Sequence, residues 1–444
     1  MTDTSPAPAG AGQSPAAKLP TVGRRAWIVL GMLSFVYILN FLCRLLPTIL
    51  AKPIEDSLHL SDGQFGLITG FYFAVFYTFI SIPVGYLADR TNRSKVLACA
   101  CAIWSGATIA CGFAVGYLQF ALSYMTVGFG EAGGVPPSYA IISDYFPPGR
   151  RGMALGLFNL GLPIGAALAI AFGASIAAAF GWQLAFKALG AVGIIAVIGV
   201  LVFVKEPRRG GLDGISEEDL KKTKARFFPT LANFFTHPSL LLVALGGGAT
   251  QMITYGVGNF TILFLMREKG MTLHEVALYY ALLVGTVMSL GLFVAGRSLD
   301  MFTRRWKHAY GLVPAVALTI SLPFYIAFVW APGWPLALAF LSGCMFLNYF
   351  YLPAAITLVQ QEVRPDQRVM SGALLLLVMN FMGIGLGPTF VGAVSDYFRA
   401  YAFHNSLQIA MYALLPCYIL AIVLFLSLSR VLRRESRKTG ETAR

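Results

Sequence analysis

Two ionisable residues, Arg44 and Glu131, stand inside apolar runs long enough to cross a bilayer, and their types could exchange a proton. A charge near the centre of a bilayer costs several kcal/mol unless it is paired or hydrated. The two lie at similar depths, roughly 15 Å and 18 Å from one end of their runs at the rise of a helix, so they are placed to pair. A carboxyl whose proton affinity depends on a nearby cation and on access to water can couple proton movement to a change of state. Cys43, beside Arg44, supplies no anion, because a thiol in apolar surroundings stays neutral; Glu131 is left as the partner. Helical spacing from Arg44 sets Tyr37, Asn40, Phe41 and Thr48 on or near one face. The five histidines lie at the ends of apolar runs or in loops, no His-Glu-x-x-His or Cys/His cluster occurs, and Cys43 has no imidazole to activate it. The sequence therefore implies no enzyme, no metal and no cofactor beyond a proton as coupling ion.

The elements that hold these residues are apolar throughout. Of 444 residues, 57% are hydrophobic and 12% charged, about half the charged share of a soluble domain. Runs of the length that crosses hydrocarbon are expected at 27–50, 64–87, 96–115, 119–142, 153–179 and 183–204, and again at 239–265, 275–296, 310–330, 335–359, 370–394 and 406–428. The fold class is all-α integral membrane, with twelve transmembrane helices in two pseudo-symmetric bundles. Residues 1–26, rich in Pro, Ala, Gly and Ser, are expected to be a disordered tail. Residues 205–238 are expected to form a linker with a short interfacial helix starting at Ser216-Glu217-Glu218-Asp219, and 429–444 a basic tail.

With twelve crossings both termini share one face, and 27 of the 33 Lys and Arg fall on it. Cytoplasmic loops carry such an excess, so both termini are expected in the cytoplasm and the basic charge reports topology rather than nucleic-acid binding. Gly85-x-x-x-Asp89 recurs as Gly296-x-x-x-Asp300, and Pro136, Pro148, Arg151 and Met153 recur at a constant offset as Pro353, Pro365, Arg368 and Met370. Two parallel halves with a site between them near the midplane follow from that repeat.

The segment Gly85-Tyr-Leu-Ala-Asp89-Arg90-Thr-Asn-Arg93-Ser-Lys95 resembles the G-x-x-x-D-R-x-x-R loop of the major facilitator superfamily. The resemblance implies a cytoplasmic gate in which Gly85, Asp89, Arg90, Arg93, Arg151 and Asp300 latch the halves together and release them. Asn40-Phe-Leu-Cys43-Arg44 resembles the N-Y-x-D-R signature of Spinster-type lipid transporters, with Cys43 where that family has Asp. Gly130-Glu131-Ala132, Pro136 and Asp144-Tyr-Phe-Pro-Pro-Gly-Arg150-Arg151-Gly152 resemble the fourth span of the same family. A bacterial homologue is implied, a monomer in the plasma (inner) membrane.

That resemblance implies proton-coupled, alternating-access transport of a sphingolipid or lysophospholipid, with Arg44 for the head group and aromatics for the tail. Tyr255, Asn259, Asn348 and Tyr349 are the expected contacts from the second half; Asn348 occupies the repeat position of Glu131. Organic-anion or sugar-acid proton symporters of the same superfamily share the first-span motif. They usually carry further cations in the second half, where this sequence has no deep Lys or Arg.

Overall fold

A computed structural model of the chain describes residues 23–207, 227–363, 367–401 and 405–438, and every regular element among them is helical. Eleven helices are individually long and apolar enough to cross a membrane: Arg24–Ile49, Asp62–Ala88, Arg93–Cys111, Met153–Phe180, Trp182–Phe203, Pro238–Arg267, Leu273–Thr303, Ala309–Trp330, Trp334–Glu362, Met370–Ala400 and Ser406–Arg437. The remaining crossing, span four, consists of two shorter helices, Tyr117–Glu131 and Val135–Tyr145. Together these are the twelve expected spans, numbered one to twelve below in chain order.

The break in span four has a local cause. Gly133 and Gly134 weaken the helix, and Pro136 and Pro137 withhold the N–H groups that would bond one turn back. Ser138 Oγ donates to the Gly134 carbonyl at 2.7 Å, satisfying a group that the bend would leave bare in lipid. Span ten breaks at the equivalent place, as Trp334–Asn348 and Tyr351–Glu362. Glu131 and Asn348 thus end matching helices, and the repeat read from scattered prolines is a repeat of bent helices.

Several expected boundaries shift. The first helix starts at Arg24, and the tail before residue 23 lies outside the described residues, as does the expected interfacial helix after Ser216. A helix at Phe227–Thr236 leads into span seven instead. The last helix runs on to Lys438 rather than ending near 428, because buried Leu428 and Leu432 continue its packed face.

The halves meet closely on the face away from the termini. A Cβ on Gly66 of span two would sit 2.5 Å from the Pro388 carbonyl oxygen of span eleven, and one on Gly70 would sit 2.9 Å from Thr389 Oγ1. Small residues let helices approach this closely in lipid. Both spans carry a π-type turn here, Leu67–Tyr72 and Phe381–Leu386, and such turns mark places where a helix adjusts to a functional contact. Thr389 Oγ1 accepts a bond from the Phe71 N–H at 3.2 Å and lies 3.3 Å from the Gly66 carbonyl oxygen, while its proton goes to the Gly385 carbonyl of its own helix at 2.8 Å.

This packing is testable. Gly66→Ala is expected to cost about 1–3 kcal/mol by overpacking, lowering the thermal midpoint of the purified protein. Gly85→Ala, inside a helix and with nothing within 4 Å of the added carbon, should raise it slightly, since alanine favours the helix. Equal midpoints for the two variants would contradict the close approach of spans two and eleven.

Candidate functional site

Arg44 and Glu131 meet inside the first half. Arg44 Nε donates to Glu131 Oε2 at 2.7 Å, with side-chain exposures of 10% and 0%. Span one reaches this depth as a continuous helix, and the break in span four leaves Glu131 as the last residue of its helix. Three rings cage the guanidinium: Tyr77 at 4.4 Å, Phe73 at 5.1 Å and Phe41 at 5.2 Å from its carbon to the ring centre. Cations are drawn to aromatic faces, more so when water is excluded. Tyr124 donates its hydroxyl to the Arg44 carbonyl at 2.8 Å, bracing span one against span four. Tyr37 stacks on Phe158 of span five at 4.4 Å and meets Phe41 edge-on at 5.2 Å.

The pair is only partly satisfied. Glu131 Oε1, Asn40 Nδ2, Trp104 Nε1 and Ser105 Oγ are buried without hydrogen-bond partners among the described residues. Native interiors rarely leave such groups bare, so each asks for water or a ligand. A small void of about 10 Å³, lined by Tyr37, Asn40, Trp104 and Ser138 among others, has room for roughly one water.

The other expected residues divide. Tyr255 of span seven is close enough to interact electrostatically with Arg44, and Tyr349 in the bend of span ten lies near Tyr255. Both halves therefore approach the same place. Asn259 is buried, with its Nδ2 donating to the Tyr255 carbonyl at 3.2 Å and its Oδ1 without a partner among the described residues. Among the described residues Thr48 bonds to the Leu45 carbonyl of its own helix, at 2.7 Å. Cys43 is buried against span three, within reach of Thr108, Cys101 and Glu131.

Asn348 departs from expectation. Its Oδ1 accepts from Ser321 Oγ at 2.8 Å, and its Nδ2 donates to the Tyr418 hydroxyl at 3.0 Å. Its hydrogen-bonding groups are engaged within the second half, so its geometry gives no support to a contact with substrate. The repeat has turned the position of a reactive carboxyl into a satisfied amide.

On the face bearing the termini, the contacts described for Arg90 and Arg93 of the expected latch lie within the first half. Arg93 pairs with Asp144 at 2.6 Å, Glu206 accepts the Ser94 N–H at 3.1 Å, and the Arg90 guanidinium lies over its neighbour Tyr86 at 4.0 Å. Gly85 is half-buried and Asp300 exposed. The Asp89 and Arg151 side chains lie outside the described ones. The ion pairs described on this face stay within one half.

The opposite face holds an inter-half network that sequence reasoning missed. Arg267, ending span seven, donates to Glu55 Oε2 at 2.7 Å and Asp62 Oδ2 at 2.9 Å. Arg399 of span eleven reaches Asp62 Oδ1 at 3.4 Å, and Ser395 Oγ donates to Asp62 Oδ2 at 2.6 Å. Asp396 Oδ2 accepts the Gly63 N–H at 2.9 Å. The signal was present in the sequence: Arg267 and Arg399 are two of the few cations on that face. Burial, aided by the Asp62 carboxylate, outweighs the pull of Arg267 and Arg399 and pushes the Glu55 carboxyl up to about 8.

The Major Facilitator Superfamily sequence pattern matches residues 30–388. An MFS-type efflux pump of Mycolicibacterium smegmatis is 31% identical over 374 residues, 84% of this chain and 85% of that protein. The sphingosine-1-phosphate transporter SPNS2 of Danio rerio is 25% identical over 419 residues, 89% of this chain and 81% of that protein. The fold is similar to the crystal structure of a bacterial homologue of the human lysosomal transporter Spinster in an inward-facing, unoccupied conformation. That match has a TM-score of 0.85 and 30% identity over 93% of this chain and 98% of the other.

The Glu55 geometry predicts a pH dependence. Because the sealed arrangement raises this carboxyl from 4.5 to about 8, it binds the proton more tightly than a hydrated, opened arrangement would. The contribution of Glu55 to sealing is complete below the usual carboxylate range and is lost as pH rises through about 8. Backbone hydrogen-exchange protection at 62–66, corrected for intrinsic rate, should fall between pH 6 and 9, and Glu55→Gln should abolish that dependence. Protection independent of pH in the unaltered protein would refute it.

Proposed function

The chain belongs to the Major Facilitator Superfamily and is a membrane transporter with Spinster proteins among its relatives; from that premise we propose that it carries an amphipathic lipid, a sphingolipid or lysophospholipid, by proton-coupled alternating access. The observation that carries this reading is the Arg44–Glu131 pair, caged by aromatic rings and unmatched by a deep charge in the second half. An anionic head group needs a cation, and Arg44 offers one whose planar guanidinium suits phosphate. An acyl chain needs apolar and aromatic wall, which Phe41, Tyr77, Tyr255 and Tyr349 supply.

Coupling follows from competition. One guanidinium cannot neutralise a substrate phosphate and the Glu131 carboxylate together in a medium of low dielectric. When phosphate takes Arg44, Glu131 must accept a proton or remain an uncompensated buried charge, which costs about 3–5 kcal/mol. The unsatisfied atoms around Asn40 and Trp104 suit water that delivers this proton. Cys43 supplies no carboxyl, so this chain has one carboxyl in the exchange and Glu131 carries it alone.

The chain acts as a monomer in the bacterial inner membrane with its termini in the cytoplasm, in accord with its Lys and Arg excess on that side. The Glu55–Asp62–Arg267–Arg399 network then seals the outer end, leaving the cytoplasmic end to open. The likeness to a relative captured facing inward supports that assignment.

Uptake of a fluorescent lysophospholipid into proteoliposomes tests the proposal. A pH gradient should accelerate flux in the unaltered protein, and Glu131→Gln should keep lipid binding while losing that acceleration. Arg44→Gln should weaken binding about ten- to hundred-fold, the worth of hydrogen bonds to a charged group. Flux of a sugar acid with none of the lipid would reject the lipid substrate and leave the organic-anion alternative.

A further inference from the structure

The second half gathers cations on the termini face in a way that topology alone does not require. Arg304, Arg305 and Lys307 fill the turn between spans eight and nine. The last helix adds Arg430, Arg433, Arg434 and Arg437, all exposed and spaced three, four and seven residues from the first, so they form one stripe. Its opposite side, Phe425, Leu428 and Leu432, is fully buried.

The two groups are brought together by close packing. A Cβ on Gly311 at the start of span nine would sit 2.5 Å from the Ser429 nitrogen and 2.6 Å from the Phe425 carbonyl oxygen. His308 lies near enough to Arg433 for the guanidinium, after burial, to disfavour its charged form. Lys307 is tied to Glu362 at 2.8 Å. The six arginines form no ion pair among the described residues, whereas Arg93, on the same face of the first half, is neutralised by Asp144.

An aromatic platform stands among them. Trp306 is 45% exposed and its ring stacks on Phe302 at 6.4 Å and on His308 at 6.1 Å. An exposed Trp beside clustered Arg is the chemistry of the membrane interface, where the indole sits at head-group depth and the cations meet lipid phosphates. A merely solvated face would need neither the Trp nor the convergence of two separate segments.

We propose that the turn between spans eight and nine and the arginine stripe of the last helix form a binding site for the head group of an anionic phospholipid of the surrounding leaflet. This lipid is a neighbour of the transporter and occupies a place remote from Arg44. The site is independent of which substrate is carried.

The test is native mass spectrometry of the full chain, purified in detergent and equilibrated with equal amounts of phosphatidylglycerol and phosphatidylcholine. The unaltered protein should retain phosphatidylglycerol in preference. The triple variant Arg430→Gln/Arg433→Gln/Arg434→Gln should lose that preference by about fivefold per arginine, the ratio equivalent to ~1 kcal/mol each. Lys52→Gln, on the opposite face, should behave as the unaltered protein. Raising salt should weaken the preference in step. Equal retention of the two lipids, or a preference that survives the triple substitution, overturns the proposal, and a thermal midpoint unchanged in the triple variant would show that it remains folded for that comparison.

Discussion

A guanidinium and a carboxylate 2.7 Å apart, almost wholly removed from water, are an expensive thing to keep inside a membrane protein. Replacing such a pair by apolar residues is often neutral or stabilising, whereas removing one partner is costly. Stability is therefore a poor reason for Arg44 and Glu131. Their value lies in the asymmetry: either partner, once drawn away, forces a response from the other. The bend in span four, the ring cage of Phe41, Phe73 and Tyr77, and the Tyr124 brace all serve to hold the pair while excluding most solvent.

The two ends of the molecule stand in opposite conditions. Away from the termini, glycines admit backbone contact between spans two and eleven, and Arg267 binds two carboxylates from the other half at once. At the termini, the ion pairs among the described residues lie within one half or the other. A carrier that works by rocking needs one end closed at a time, and a network of ion pairs suits a reversible seal. Its parts separate without unfolding either bundle, and each charge finds water when they do.

Much of this was legible in the sequence for a simple reason: hydrocarbon tolerates few structures, so apolar runs reveal helices and charges reveal faces. Arg44 and Glu131 could be paired on paper because depth along a helix is countable. The network on the face away from the termini could not, since Arg267 and Asp62 lie 205 residues apart and meet only when the halves close. The bends in spans four and ten carry a sequence signal, Gly133, Gly134, Pro136 and Pro137 in one and Pro353 in the other, but span length alone does not show where a helix ends. Asn348 marks a limit of symmetry arguments. Its helix repeats that of Glu131, but Ser321 and Tyr418 turned the side chain inward, and side-chain partners do not follow from an offset.

The central claim is that substrate and Glu131 compete for Arg44. Calorimetric titration with a lysophospholipid, repeated in buffers of different ionisation enthalpy at one pH, counts protons exchanged per lipid bound. Competition predicts net uptake of about one proton in the unaltered protein, carried by the displaced carboxyl, and none in Glu131→Gln. Binding with no proton exchanged, or the same uptake in both proteins, would contradict it.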